Sequence, residues 1–429
     1  MQDPLQLPVW PWLRTLGFVA LGAVVLFAGW RFATFVGRAA VRPSACFGAH
    51  YTLARLLATG EDLARTYDDA WFAEQTSRFT PGVTDINVNP PTTALLLLPL
   101  AGLEYTGARI AWTAVSVLLL AVTLAWLLRA AGLPGPWAVG FVALTLAYQP
   151  LAANFHVANV YVLLLALATA AWHGYRAGNE AVLGTALGLM LVIKLAGGPL
   201  WVLALFERRW RALGWGAATV AAVVLGSLPW IGVGAWRADA EVLAAAATRP
   251  ERAVTAYQSV TGLFRHLFAP DPVWNPEPLL NAPDVAFLGS CVALLALIAA
   301  GLWVAWLRPC DDRVFAAFVI ASVVASPLSL DYTYTMLLLS SAIALAWARE
   351  RRSPWAWMLL VAAILPVAAD LPYRSPRLAR GAWALLAYPK LYGALLLWAA
   401  LLGAAWLAGT GAHPEQRGAL SGGPASPER

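Results

Sequence analysis

The chain has 429 residues, of which 60% are hydrophobic and 12% charged, about half the charged share of roughly 25% in an ordinary soluble domain. That balance excludes a soluble globular enzyme and points to an all-α integral membrane protein. The net charge of +6 comes mostly from arginines beside apolar runs and implies no nucleic-acid partner, and three cysteines make no disulfide framework.

Residues 1–13 lack the basic region and cleavage pattern of a signal peptide, and the apolar run 16–36 is long enough to remain as a span. A polar first outer loop, 38–91, follows and is expected to be helical in part. It gathers Asp62, Asp68, Asp69 and Asp85 before ending in Asn89-Pro90-Pro91. A protein that only needed anchoring has no use for such a loop. Residues 92–103 are shorter than a full span, and the two prolines before them suit a helix start, so a half-inserted helix is expected there.

Further apolar runs lie at 108–128, 137–151, 157–172, 181–193, 199–206, 213–233, 285–307, 314–326, 334–347, 355–369 and 391–407. With the first run they make about twelve spans, and they should be helices because hydrocarbon tolerates no unpaired backbone. Residues 1–408 then form one polytopic domain. The Gly-, Ser- and Pro-rich tail 409–429 is expected to be a disordered cytoplasmic segment. Arg208, Arg209 and Arg211, then Arg349, Arg351 and Arg352, with Arg129, Arg176, Arg308 and Arg313, fall at run ends compatible with one cytoplasmic side. Segments 38–91, 234–283 and 370–390 then face outward.

Polar groups inside the spans carry the functional signal. Lys194, in LVIKLAGGPL, stands between an apolar run and the helix breakers Gly197, Gly198 and Pro199. A broken helix at membrane depth is tolerated where it is buried in protein or lines a cavity. Lys194 therefore reads as a cation holding a lipid-linked phosphate, in competition with a lysine that merely reaches the interface. His156 and Asn159, three apart in NFHVANVYVLLLAL, are expected on one helix face. The stretch from Ser326 to Tyr334, which includes Asp331 and Tyr332, joins two spans on the same side.

Taken together, Tyr51-Thr52-x-Ala54-Arg55-Leu56-Leu57, Asn89-Pro90-Pro91, Pro99-Leu100, His156-x-x-Asn159, Lys194, Gln258-Ser259-x-x-Gly262 and Ser326-Pro327-x-Ser329 resemble the polyprenyl-phosphate-sugar-dependent glycosyltransferases of family 87. The resemblance runs over almost the whole chain. It implies a GT-C-type bundle and transfer of a sugar, most often mannose, from a polyprenyl-phosphate donor. The acceptor is a lipid or glycan at the outer face of the cell membrane. It also implies an aspartate of the first outer loop as general base, in an Asp-Phe-x-x-Tyr-Tyr pattern. Here Cys46-Phe47-x-x-His50-Tyr51 occupies that place. Two other positions depart as well: His156 replaces a glutamine, and Asp331-Tyr332-Thr333 stands where a His-His pair is usual.

Glycosyl transfer needs a carboxylate or histidine within reach of the acceptor hydroxyl and positive charge at the departing phosphate. With Cys46 at the usual aspartate position, the base is expected among Asp85, Asp69, Asp68 and Asp62, in that order, with Asp331 as an outsider. Asp85 leads because it lies closest to the Asn89-Pro90-Pro91 entry into the membrane. Lys194, His156, Asn159, Asn89, Gln258, Ser259, Asp331 and Tyr332 are the expected donor- and substrate-binding residues. No cofactor is implied, and no His, Asp and Glu cluster shows metal-ligand spacing. A lipid-linked sugar transporter or flippase, or an inactive relative, remains the competing class, since broken helices with polar groups also mark transport sites. The long outer loop and the lack of a visible internal repeat weigh against transport.

Overall fold

The computed structural model describes residues 11–80, 82–246 and 248–410, and among them no β-strand occurs beyond one isolated bridge between Asp271 and Asn275. The expected tail beyond residue 410 and the stretch before residue 11 lie outside the described residues. Every apolar run of the sequence is helical. The first half of the chain contributes α1 (Pro11–Ala40), α2 (Ala45–Ala58), α3 (Asp69–Phe79), α4 (Thr93–Leu97), α5 (Tyr105–Ala130), α6 (Gly135–Ala147), α7 (Gln149–Val157) and α8 (Tyr161–Ala177). Then come α9 (Glu180–Lys194), α10 (Gly198–Phe206), α11 (Trp210–Ala246), α12 (Val260–Phe268), α13 (Pro283–Leu307), α14 (Asp312–Val324), α15 (Leu337–Arg351), α16 (Pro354–Ala368) and α17 (Pro389–Thr410).

Five helices, within α1 and in α5, α11, α13 and α17, are long and apolar enough to cross a membrane by length and composition, or six if the bent pair α6 and α7 counts as one. The other apolar helices are shorter than a full span. Their packing differs with their position. Almost every residue of α14 and much of α15 is buried inside the bundle, whereas α1, α11 and α13 present large exposed apolar side chains such as Phe27, Trp230 and Leu295. Exposed apolar flanks around a buried helical centre are what a bilayer, not water, accommodates.

Arg176, Arg209 and Arg313 form ion pairs at one end of this bundle. Arg209 contacts Glu180 at 2.8 Å and Glu207 at 2.9 Å, Arg313 contacts Asp311 at 2.6 Å, and Arg176 reaches Asp312 at 3.7 Å. The opposite end carries the segment between α1 and α5. There α2, the 3-10 turn Leu63–Tyr67, α3 and α4 bury Leu53, Leu56, Leu63 and Phe72 against Ile231 and Ala235 of α11. α4 spans five residues and passes into a 3-10 turn at Leu98–Leu100, so this stretch enters the bundle without crossing it. α11 can serve both the bundle and this cap because Pro229 and a non-helical Gly232 (φ 78°) redirect it.

The helix that positions the candidate site is α9. Its Gly184 and Gly188 face Ala212 and Gly216 of α11 so closely that a Cβ on Gly188 would lie 2.8 Å from both the Gly216 carbonyl oxygen and the Thr219 Cβ. Small residues spaced by four allow this backbone approach. Gly188→Leu is expected to force α9 and α11 apart and lower stability by about 1–3 kcal/mol. Gly214→Ala, which meets nothing within 4 Å, should be tolerated. Thermal midpoints of the two variants in detergent check the contrast.

Candidate active site

Three residues break the chain between α9 and α10. Leu195 takes the left-handed conformation (φ 51°), Gly197 follows at φ 86°, and Pro199 sits in the first turn of α10. The break strands the last carbonyls of α9. The hydroxyl of Thr92 donates to the Val192 carbonyl, and Thr93 lies 3.5 Å from that of Ile193. The residues after Asn89-Pro90-Pro91 thus dock onto the end of α9, and Lys194 faces Asn89.

Asn89 is buried and held from several sides. Its side-chain oxygen accepts from the Lys194 ammonium and lies 3.2 Å from His50 Nε2, and its carbonyl accepts the Tyr67 hydroxyl at 2.8 Å. Its backbone N–H donates to Asn87 Oδ1 at 3.0 Å, while the Asn87 amide donates to Thr66 at 3.0 Å. His50 comes from α2 and is 1% exposed. Burial first, then the Lys194 charge, push its ring down to about 3, against the hydrogen bond to Asn89 that works the other way. The ring is therefore neutral at physiological pH.

Asp85, Asn89, Lys194, Cys46, Tyr257 and Tyr332 line one cavity of about 510 Å³, within the range of sites that hold small molecules. The Asp85 carboxylate accepts the Ile86 N–H at 2.9 Å. Burial pushes this carboxyl from 3.8 up to about 6, a rise that the Ile86 N–H and the Lys194 charge only partly offset. Cys46 Sγ lies 3.8 Å from the Tyr332 hydroxyl. Burial and then the Asp85 charge push the Cys46 thiol up, so it stays protonated. Arg252 completes the far wall. It is 4% exposed, its guanidinium stacks 4.5 Å over the Tyr257 ring, and its neighbour Glu251 is drawn to Arg249 at 3.8 Å instead.

Of the residues expected from sequence, the cavity brings together Asp85, Asn89, Asn159, Lys194 and Tyr332. The others lie elsewhere. Asp62 and Asp68 cap the 3-10 turn and α3 by accepting backbone N–H groups, and Asp69 faces Arg249 at 3.7 Å. His156 and Asn159 do not share a helix face. Ala158 is left-handed between them (φ 49°), ending α7, so His156 stays exposed near Phe35 while Asn159 turns to the cavity. Asp331 is buried against Tyr373 and Arg374, the latter at 2.7 Å. Gln258 binds the Thr255 and Ala387 carbonyls at 2.7 and 2.8 Å, and Ser259 caps α12. These three fasten loops.

Beside the expected residues the cavity is lined by Cys46, His50, Tyr257 and Arg252, of which only Tyr257 and Arg252 had no signal in the sequence. Cys46 and His50 stood inside a recognised motif and were legible as its two departures. Arg252 and Tyr257 come from the long segment after α11, where nothing in spacing or composition marks them.

The model of glycosyltransferase family 87 matches residues 87–330, more than half of the chain. The chain belongs to glycosyltransferase family 87. It is a membrane glycosyltransferase, and the region shared with family 87 holds Asn89, Asn159, Lys194 and Tyr257, while Cys46 and Asp85 precede it. No curated protein and no solved structure matches it.

The raised Asp85 carboxyl gives a direct test in this family 87 protein. Burial favours its neutral form, so a carboxylic-acid C=O infrared band should have a component that is present at pH 5 and is lost with a midpoint near pH 6, and the Asp85→Asn difference spectrum should lack that component while bands from other buried acids such as Asp239 and Asp312 remain.

Proposed function

We propose that this glycosyltransferase moves a sugar, mannose as the leading candidate, from a polyprenyl-phosphate donor to a lipid or glycan acceptor, with the reaction at the outer face of the cell membrane. The observation that carries this reading is the meeting of an acid and a cation, Asp85 and Lys194, in one cavity. That cavity lies at the end of the bundle opposite Arg209 and Arg313, although Arg252 lines it and Arg249 and Arg374 lie on its side. Arginines clustered in short connections, as at Arg208, Arg209 and Arg211 and at Arg349, Arg351 and Arg352, favour the cytoplasmic side, which supports an outward-facing site.

In this proposal Asp85 is the general base. The acceptor oxygen attacks the anomeric carbon as its proton passes to the Asp85 carboxylate. The bond from that carbon to the phosphate oxygen breaks, and its electron pair leaves on the polyprenyl phosphate. No covalent nucleophile is needed, so the displacement inverts configuration, as when a carboxylate activates the attacking oxygen in inverting glycosidases. Lys194 stabilises the charge that grows on the leaving phosphate. Phosphate oxygens are stronger acceptors than a neutral amide, so the ammonium is expected to pass from Asn89 to the donor. The buried Cys46 thiol stays protonated and leaves the base role to the carboxylate in the same cavity.

Two outcomes test the assignment in membranes supplied with a labelled polyprenyl-phosphate sugar. Asp85→Asn should slow transfer by roughly 10²–10⁴-fold with donor affinity kept. In the parent, the rate should rise with pH to a plateau above about 6, because only the ionised carboxylate accepts a proton. A parent rate indifferent to pH between 5 and 7 would count against Asp85.

Lys194→Ala should weaken donor binding by about ten- to a hundredfold, the size of a lost charged hydrogen bond, in a protein that still folds. Titration of each variant with undecaprenyl phosphate measures it. Unchanged affinity would remove the phosphate site from Lys194.

A further inference from the structure

We infer that His50 is a positioning residue for donor binding: it holds the Asn89 side chain with its oxygen toward Lys194, and so sets where the ammonium waits for the donor phosphate. The inference rests on the phosphate site assigned to Lys194 above.

Two donors converge on one acceptor, the Asn89 side-chain oxygen: the Lys194 ammonium and His50 Nε2, the latter at 3.2 Å. An asparagine amide presents either oxygen or nitrogen at nearly the same shape, and which one it presents is decided by its partners. The other end of this amide is weakly held, because Asn89 Nδ2 lies 3.5 Å from Asn87 Oδ1. The choice is therefore made at the oxygen, where the ring and the ammonium act together.

The state of the ring follows from the same geometry. Lys194 has only protons to offer, so the shared atom is the oxygen, and the His50 nitrogen facing it carries the hydrogen. The other ring nitrogen, Nδ1, is buried with no hydrogen-bond partner. A charged ring would bury an unpaired N–H there beside Lys194, which the downward push on its ionisation opposes. A phenylalanine of nearly the same shape would pack in this 1% exposed place without leaving a lone pair unsatisfied. The single feature that a histidine adds is the Nε2–H aimed at Asn89.

The ring also has a use when the donor arrives. Once the ammonium turns to phosphate, the Asn89 oxygen loses one of its two donors and keeps the other. His50 thus leaves the amide oriented for the return of Lys194 after the product departs. His50 touches neither the reacting carbon nor the proton in transfer, so its effect should fall on donor affinity and not on the chemical step.

The experiment compares full-length His50→Phe, His50→Gln, Lys194→Ala and the double variant His50→Phe/Lys194→Ala in detergent. Binding is read with undecaprenyl phosphate and transfer with a labelled polyprenyl-phosphate sugar. His50→Phe should weaken undecaprenyl phosphate binding about tenfold, the loss of one hydrogen bond's worth of placement, with kcat at saturating donor within about twofold of the parent. His50→Gln, which can again present an N–H, should recover most of the affinity. The double variant should bind no worse than Lys194→Ala alone, because His50 acts through the ammonium. The inference is overturned if His50→Phe lowers kcat and leaves affinity unchanged, if His50→Gln is as weak as His50→Phe, or if the two losses add. If Lys194→Ala itself leaves binding unchanged, the phosphate site fails first and independently. Should His50→Phe not fold, the ¹⁵N resonances of the His50 ring in the parent decide the matter. A hydrogen on Nε2 that shifts when Lys194 is replaced supports the inference, and a hydrogen on Nδ1 refutes it.

Discussion

An ammonium at the broken end of a buried helix has to find an acceptor, and the Lys194 contact with Asn89 is the interaction on which the rest of the site depends. Neither residue reaches the other through local structure, since 105 positions separate them. The contact exists because the segment after Asn89 docks on the last carbonyls of α9 through Thr92 and Thr93. Helix end, lysine and polar loop are thereby one unit. Loss of any part leaves either stranded carbonyls or a buried charge without a partner, both costly away from water.

This unit also explains where the cavity opens. α9 is held tightly along its glycine face by α11, and then stops at Leu195 and Gly197 before α10 begins. The short break leaves space between the α9 end, the segment holding Asp85, and the Tyr332 region. α11, redirected at Gly232, carries its far half over the cap, and the chain beyond it brings Arg252 and Tyr257 to the remaining wall. The bundle supplies rigidity, while the polar segments supply the charged groups. Side chains on such a frame need little rearrangement to meet a ligand.

Four acids share the first polar loop, yet their environments separate them. Asp62 and Asp68 are spent on backbone caps, accepting the N–H groups that open the 3-10 turn and α3, and Asp69 sits near Arg249. Asp85 alone of the four lines the cavity, and its burial opposes ionisation. A carboxyl kept near its turning point close to neutral pH suits proton transfer better than one fixed far below it. Cys46 is its neighbour in the same cavity.

The membrane character and the helical runs were legible in composition and in the length of the apolar segments, because hydrocarbon demands helices whatever the packing. That Lys194, Asn89 and Asp85 would come close to one another was legible too, since a lysine before Gly-Gly-Pro and an Asn-Pro-Pro entry are local signals of a helix end and a helix start, and the three line one cavity. His156 was misplaced for a local reason that leaves little trace in sequence: Ala158 adopts a left-handed turn that glycine would have announced. Asp331, Gln258 and Ser259 read as site residues in the sequence because a polar group in an apolar chain looks the same whether it meets substrate or fastens a loop, and the structure gives each of them protein partners. Only tertiary structure separates the two, by supplying the partner: Arg374 for Asp331, the Ala387 carbonyl for Gln258, and open cavity for Asp85. The sequence by itself determined which groups would be expensive to bury, and the fold decided which of them were satisfied by protein and which were left facing space, because satisfaction depends on neighbours distant in the chain, 43 residues for Asp331 and Arg374 and 129 for Gln258 and Ala387.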